Sequence, residues 1–302
     1  MFRTLLQMAE QNSTTFTSGQ VTGLVLIAIC TATWIVMAFT AHSRARASQT
    51  LYASPPLRAA DHHNDNKYHL LLAATGSVAT IKIPNIVSAL APHPNLSIRI
   101  LFTHSASQFL QSQSHEQPSL LEINRMKNVD GIYMDEDEWR QPWVRGADIL
   151  HIELRRWADL MVIAPLSADA MAKIVAGQAD SLVLAAVRAW DTTGLIDVAR
   201  HGIQLPYSSQ DGKGRKGIIV APAMNTAMWV HPATGKQLAV LEREWGVENG
   251  GWFEVLRPVE KNLACGDTGS GAMREWKEIV KIIETRLRLG GSAKGFGQQN
   301  AA

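Results

Sequence analysis

The chain has 302 residues, 46% of them apolar and 19% charged, with a formal net charge of +2 at pH 7. This is room for one sizeable globular domain with appendages. A near-neutral charge with no basic block argues against nucleic acid as a partner, and two cysteines exclude a disulfide framework.

Residues 1–20 read as an N-terminal tail. Val21 to Ala41 then runs VTGLVLIAICTATWIVMAFTA, and no charge falls between Glu10 and Arg44. At a rise of about 1.5 Å per residue such a run crosses a hydrocarbon core of about 30 Å. Arg44, Arg46 and Arg58 follow it, against Arg3 and Glu10 before it, which puts the C-terminal side in the cytoplasm. Two rivals stand beside the membrane anchor. Ala45-Arg46-Ala47 resembles a signal-peptide cleavage site, and a wrong gene model would add a non-native start. Residues 42–67, polar and carrying Pro55, Pro56, His62 and His63, read as a linker.

From Tyr68 the pattern is α/β. Tyr68 to Ala74 is an apolar run expected of a strand buried on both faces. Thr75-Gly76-Ser77 turns the chain into a helix near Ala79 to Leu90. Further strands are expected at Ser97 to Phe102, Asp159 to Ala164 and Gly217 to Ala221, with helices near Ala168 to Ala176, Leu182 to Trp190 and Thr234 to Trp245. Alternation of this kind implies a parallel sheet with right-handed crossovers. Ligands of such sheets sit beyond the carboxyl ends of the strands. Residues 192–216 read as a surface loop and 290–302 as a flexible tail.

The candidate site residues follow strands. Gly76 permits close backbone approach, Ser77 offers a hydroxyl, and the helix start offers free amides to an anion. The turn lacks the three-glycine dinucleotide fingerprint, so a mononucleotide phosphate fits better than NAD. Thr103, His104, Ser105 and Ser167 add polar groups at the same end, although each hydroxyl also suits a helix cap. His151 can exchange a proton near neutrality, as a general base must, or sit at a surface or interface. Its neighbours Glu153, Arg155 and Arg156 read as a solvated or interface salt-bridge face. Asn225, after the fourth strand, suits either a carboxylate ligand or a cap. Met224 and Met228 suit a flat ring or plain core. Cys265 lies in ACGDTGSGAM, where Gly266, Gly269 and Gly271 allow a loop to close over a ligand and the thiol can donate a proton. No His/Cys/Asp cluster has metal-ligand spacing.

GSVATIKIPNIV, HIELRRWADLMVIAPLSA, VRAWD, APAMNTAMWVHP and ACGDTGSGAM together resemble the phosphopantothenoylcysteine decarboxylases, within the homo-oligomeric flavin-containing cysteine decarboxylase family. The likeness covers about Tyr68 to Arg286. It implies FMN, a Rossmann-like three-layer domain over 68–289, a homotrimer with its site between subunits, and a step of coenzyme A biosynthesis. On this resemblance the flavin contacts fall on Gly76, Ser77, Val78, Thr103, His104, Ser105, Ser167, Ala168, Asp169, Ala170 and Ala223. Substrate contacts fall on Asn225, Asn262, Leu263 and Ala264. His151 is the base and Cys265 the proton donor. The implied chemistry oxidises the thiol-bearing carbon, releases carbon dioxide and returns the electrons, so the flavin is a recycled electron sink.

Three departures stand out. Family members usually read S-A-N-T after the third strand, where this chain has SADA. The 192–216 link is expanded, and the N-terminal run has no counterpart. A different class, regulatory subunits of this fold that inhibit a type 1 protein phosphatase, is the alternative. Retention of His151, Asn225 and Cys265 together, without a long acidic C-terminal tail, favours the enzyme.

Overall fold

The computed structural model describes residues 56–197, 200–208, 214–262 and 268–290. The run at 21–41, the tails and Leu263 to Cys265 lie outside the described residues. Among the described residues no helix is long and apolar enough to cross a membrane.

The elements in chain order are β1 (Tyr68–Ala74), a 3-10 turn (Val78–Lys82) leading into α1 (Ile83–Leu90), β2 (Leu96–Phe102), α2 (His104–Ser107), α3 (Leu120–Asn124) and β3 (Val129–Tyr133). Then come α4 (Asp135–Glu138), α5 (Leu150–Trp157), β4 (Leu160–Leu166), α6 (Ala168–Val175) and α7 (Leu182–Arg188). A small hairpin, β5 (Tyr207–Ser208) and β6 (Gly214–Arg215), precedes β7 (Gly217–Pro222), α8 (Thr226–Val230) and α9 (Pro232–Ala239). The chain closes with β8 (Phe253–Val255), the antiparallel pair β9 (Val259–Asn262) and β10 (Thr268–Ala272), and α10 (Trp276–Arg286).

Six strands form one parallel sheet in the order β3-β2-β1-β4-β7-β8. Strand order reverses between β1 and β4, the switch point of a doubly wound fold. β1, β2, β4 and β7 are buried along their whole length, because helices cover both faces. Side chains alternate with the pleat. Leu70 and Leu72 join Ile83, Ile86, Ile279 and Ile283 of α1 and α10 on one face. Leu71 and Ala73 join Leu154, Trp157, Met171 and Val183 of α5, α6 and α7 on the other. The expected α/β class and the four central strands hold.

Several expectations do not. β3 and β8 are the sheet edges, too short and too polar to show as apolar runs. The helix expected over Thr234 to Trp245 breaks at Ala239, where the backbone widens into a π turn over Val240–Glu244. The linker ends earlier than expected. Leu57 is buried in the α5-side core, and the Ala59 amide donates to Glu153 Oε2 at 2.7 Å. Glu153 and Arg155 are themselves buried, and of the expected solvated salt-bridge face only Arg156 remains exposed, paired with Glu153 at 2.7 Å.

The described residues of the 192–216 segment are tied to buried charges of the domain. The buried carboxylate of Asp191 accepts the amides of Thr193, Gly194, Ile196 and Asp197 at 2.9–3.1 Å, and the Thr193 hydroxyl at 2.9 Å. Asp197 then pairs with Arg155 at 3.2 Å and with Lys216 Nζ at 3.1 Å. Lys216 also donates to the carbonyls of Arg155 and Arg156, both at 3.0 Å, and so closes the C-terminal end of α5. Arg200 reaches Asp159, Asp65 and the Lys67 carbonyl at the amino end of the sheet. A polar, glycine-bearing composition predicts solvent exposure. These partners are distant in sequence, so composition does not show them.

Burial pushes the Asp191 carboxyl up, but the donations from Asp197, Thr193 and Ile196 outweigh it and hold the group below the usual carboxylate range. The unfolded chain therefore binds the proton more readily. Asp191 stabilises the fold above the ordinary carboxylate pKa, and that contribution is lost as pH falls through its depressed native value. Asp191→Asn is expected to lose about 1–3 kcal/mol at pH 7. The gap to the parent should shrink on acidification below about pH 4. Denaturant titrations of both proteins across that range check this, and a gap independent of pH would contradict it.

Candidate active site

The rim of the sheet is knitted at the switch point. The Thr75 amide and hydroxyl both donate to the Pro165 carbonyl at 3.0 Å, and the same hydroxyl accepts the Ser167 amide at 2.7 Å. The Ala223 amide donates to the Leu166 carbonyl at 2.9 Å, and the Thr103 amide to the Ala74 carbonyl at 3.2 Å. The turns after β1, β2, β4 and β7 thus form one continuous ledge. It brings together Gly76, Ser77, Thr103, Ser105, Ser167 and Ala223.

Gly76 is sterically required. A Cβ there would lie 2.5 Å from Ser105 Oγ and 2.9 Å from Ser105 Cβ. Ser77 opens the 3-10 turn in extended conformation with no side-chain cap bond, so its hydroxyl is not used by the helix. Val78 beside it is 42% exposed. Thr103 caps α2 by accepting the Ala106 amide at 3.3 Å and lies 3.1 Å from Ser105 Oγ. His104 and Ser105 are exposed. Ser167 caps α6 by accepting the Ala170 amide at 3.2 Å. A hydroxyl that accepts a cap bond keeps its proton, so capping and ligand donation are compatible. Ala168 is half-buried and Ala170 buried. Asp169, a residue that departs from the usual S-A-N-T, lies at the surface. Its carboxylate is 75% exposed and pairs with Lys173 at 3.2 Å, while Lys173 also meets Asp180 at 2.9 Å.

Asn225 caps α8, its Oδ1 accepting the Met228 amide at 2.9 Å. Among the described residues its Nδ2 donates to nothing and remains open to a carboxylate. The β9–β10 pair is rooted on the same loop. The Met224 amide donates to the Gly271 carbonyl at 3.0 Å. Gly271 has φ +134°, and a Cβ there would come within 2.5 Å of the Met224 carbonyl oxygen. Asn262 ends β9 opposite Thr268. Leu263, Ala264 and Cys265 belong to the connection between these strands, outside the described residues. A groove of about 330 Å³, lined by Ala168, Asn225, Met228, His231, Thr234 and Gln237, opens beside the Asn225 amide.

His151 is the second residue of α5, at the same end of the sheet. Ile149 occupies the N-cap without a side-chain bond, and Glu138 supplies what it lacks. One Glu138 oxygen accepts the His151 backbone amide at 3.1 Å, and the other meets His151 Nδ1 at 2.9 Å. Glu138 is almost wholly buried (6% exposed), whereas the imidazole is 25% exposed. Sequence reasoning misses Glu138. Its only signal is an acidic residue shortly before a helix that lacks its own cap. Trp139, Trp143, Val144 and Ile149, which lie between Glu138 and His151 in the chain, are exposed large apolar side chains.

The Flavoprotein family model matches residues 58–288. Phosphopantothenoylcysteine decarboxylase of Mus musculus is 37% identical over 238 residues, covering 78% of this chain and 96% of that protein. A cysteine-to-serine mutant of PPC decarboxylase, solved in complex with pantothenoylaminoethenethiol, is 37% identical with a TM-score of 0.55 over 72% of this chain and 97% of that one. The FMN binding protein AtHal3 is 36% identical with a TM-score of 0.53, over 76% and 100%. Some relatives are far longer. The match spans 30% of a probable thymidylate synthase of Schizosaccharomyces pombe, at 37% identity over 74% of this chain. With the ledge, the open amide and the strand pair rooted beside it, these likenesses have one meaning: the chain belongs to the Flavoprotein family.

Proposed function

We propose that this protein decarboxylates 4′-phosphopantothenoylcysteine to 4′-phosphopantetheine with FMN as cofactor, a step of coenzyme A biosynthesis. One observation carries the reading. The small-residue ledge and the open Nδ2 of Asn225 share a rim with β9 and β10, the strands on either side of ACGD in the chain, which supports a cofactor and a carboxylate binding side by side there. The ledge fits a planar phosphate-bearing cofactor. A Cβ at Gly76 would crowd Ser105, the Ser77 hydroxyl is uncommitted, and Ser167 keeps its donor. Ser77, Thr103, Ser105 and Ser167 would hold it, with Ala168, Ala170 and Ala223 leaving it room. When bound, FMN supplies a reversible electron sink.

The chain's own groups do the rest. Asn225 donates Nδ2–H to the substrate carboxylate and fixes the bond that will break. Asn262, Leu263 and Ala264 contact the substrate, on the family pattern. His151 receives the thiol proton on Nε2, since Nδ1 is occupied. After carbon dioxide leaves, Cys265 delivers a proton to the product carbon. The exposed Trp139, Trp143 and Val144, between Glu138 and His151 in the chain, favour a homo-oligomer, a trimer on the family pattern, with the site between subunits. Residues 21–41 are proposed to anchor this cytoplasmic domain to a membrane.

Gly76→Ala should weaken FMN binding about 10-fold or more, about 1.4 kcal/mol, because the added Cβ displaces Ser105. Asp169→Asn should leave the affinity unchanged, because that carboxylate faces solvent and Lys173. Flavin fluorescence titration reads both, and a parent protein that neither carries nor takes up FMN would overturn the reading.

His151→Asn should retain FMN and release no carbon dioxide. Cys265→Ser should release it once without forming 4′-phosphopantetheine. Co-expression of the two under different tags should yield mixed oligomers with turnover above either alone. Mixed oligomers with no gain would place both residues in one subunit's site.

Full-length protein in cells should remain in the pellet after carbonate extraction. Extraction into the supernatant would remove the anchor, and a native start near Tyr68 would show that the run is not part of the protein.

A further inference from the structure

The acidic run Asp135-Glu136-Asp137-Glu138 looks like a solvated charge patch, yet three of its carboxylates are committed to backbone amides. Asp135 accepts the Leu182 amide at the start of α7, at 2.7 Å. Asp137 accepts the Met134 amide at 2.8 Å and also pairs with Arg140. Glu138 takes the His151 amide and the His151 ring together. The run is therefore a junction from which the starts of α4, α5 and α7 are held, and Glu138 has little freedom within it.

We propose that Glu138 is a positioning residue that fixes the tautomer and the orientation of His151; its link to turnover rests on the decarboxylase reading above. A carboxylate only accepts hydrogen bonds, so a ring nitrogen 2.9 Å from it must carry the proton. Nδ1 is thus the protonated nitrogen, and Nε2 presents its lone pair. Free histidine prefers the opposite tautomer, so the protein imposes this one. The second Glu138 oxygen, on the backbone amide of the same residue, prevents the carboxylate from swinging away. Two bonds from one buried group define ring plane and tautomer together. When Nε2 takes a proton, no proton leaves Nδ1. The contact then joins an imidazolium to a carboxylate, with both partners charged, and strengthens. The burden on Glu138 is comparable to that on any carboxylate that orients a catalytic histidine, where a wrong tautomer disables the base.

The test uses full-length protein with 15N-labelled histidine. Long-range 15N–1H correlation spectra, assigned by difference with His151→Asn, report which ring nitrogen carries the proton. The parent should show His151 protonated on Nδ1 at neutral pH. Glu138→Leu should shift it to the Nε2–H form or a mixture. Glu138→Gln keeps one acceptor in nearly the same volume and should retain a majority of the Nδ1–H form, so it covers a failure of the leucine variant to fold. In turnover of 4′-phosphopantothenoylcysteine, Glu138→Leu should lose about 10²–10⁴-fold in kcat, the range of a general base. Its KM and FMN affinity should stay within about threefold, and Glu138→Gln should recover at least tenfold of the loss. A parent His151 protonated on Nε2, or a Glu138→Leu spectrum identical to the parent's, would overturn the proposal. So would a tautomer change with unaltered kcat. If the parent does not turn over this substrate, the decarboxylase reading fails while the spectra still decide the role of Glu138.

Discussion

Thr75 is the residue from which the working end of the molecule hangs. Every polar group it owns is engaged. Its amide and hydroxyl hold the Pro165 carbonyl, its hydroxyl oxygen holds the Ser167 amide, and its carbonyl accepts the Ser77 amide at 2.7 Å and the Thr80 hydroxyl at 3.3 Å. It stands where the strand order reverses, the one place in such a sheet where two neighbouring turns diverge to opposite faces and open a crevice. A buried polar group left unpaired there would cost about 1–3 kcal/mol. Full satisfaction instead fuses the turns after β1 and β4 into a rigid sill. The glycine that follows lies close to Ser105 of the turn after β2.

The opposite end of the sheet is held by charge. Arg200, Asp159, Asp65 and His69 form a buried cluster below β1 and β4, with the His69 ring stacked on Trp157 at 4.4 Å. Buried ion pairs recover their desolvation cost only when each member is well bonded. Arg200 meets this condition with carboxylates and two backbone carbonyls. The cluster joins three segments that a reader of the sequence would separate: the end of the presumed linker, the central strands and the expanded loop. The domain therefore includes residues that look dispensable.

Legibility followed the length scale of each interaction. β1, β2, β4 and β7 declare themselves because strands covered on both faces need unbroken apolar runs. The turns at Gly76, Ser167 and Asn225 follow from where those strands end. The Ser167 hydroxyl and the Asn225 amide also suit caps, and they are caps, whereas the Ser77 hydroxyl is not. What escaped were elements whose signal is weak or relational. β8 has three residues. α5 carries LHIELRRW, which looks solvated until its partners Asp197, Lys216 and Glu138 are known, and those lie 13 to 61 positions away. Asp169 shows the converse: its place in the chain is plain from SADA, but its exposed carboxylate pairs with Lys173, which also meets Asp180, and composition does not show that.

The two ends of α5 invite one more reading. A helix presents partial positive charge at its start and partial negative charge at its finish. Here the start meets the Glu138 carboxylate and the finish meets the Lys216 ammonium, both buried. The helix is strung between opposite poles along its own dipole, like a magnet seated between keepers. Pairs at the surface loosen with added salt, whereas buried ones are screened far less. The axial register of His151 is consequently insulated from the ionic strength of its surroundings.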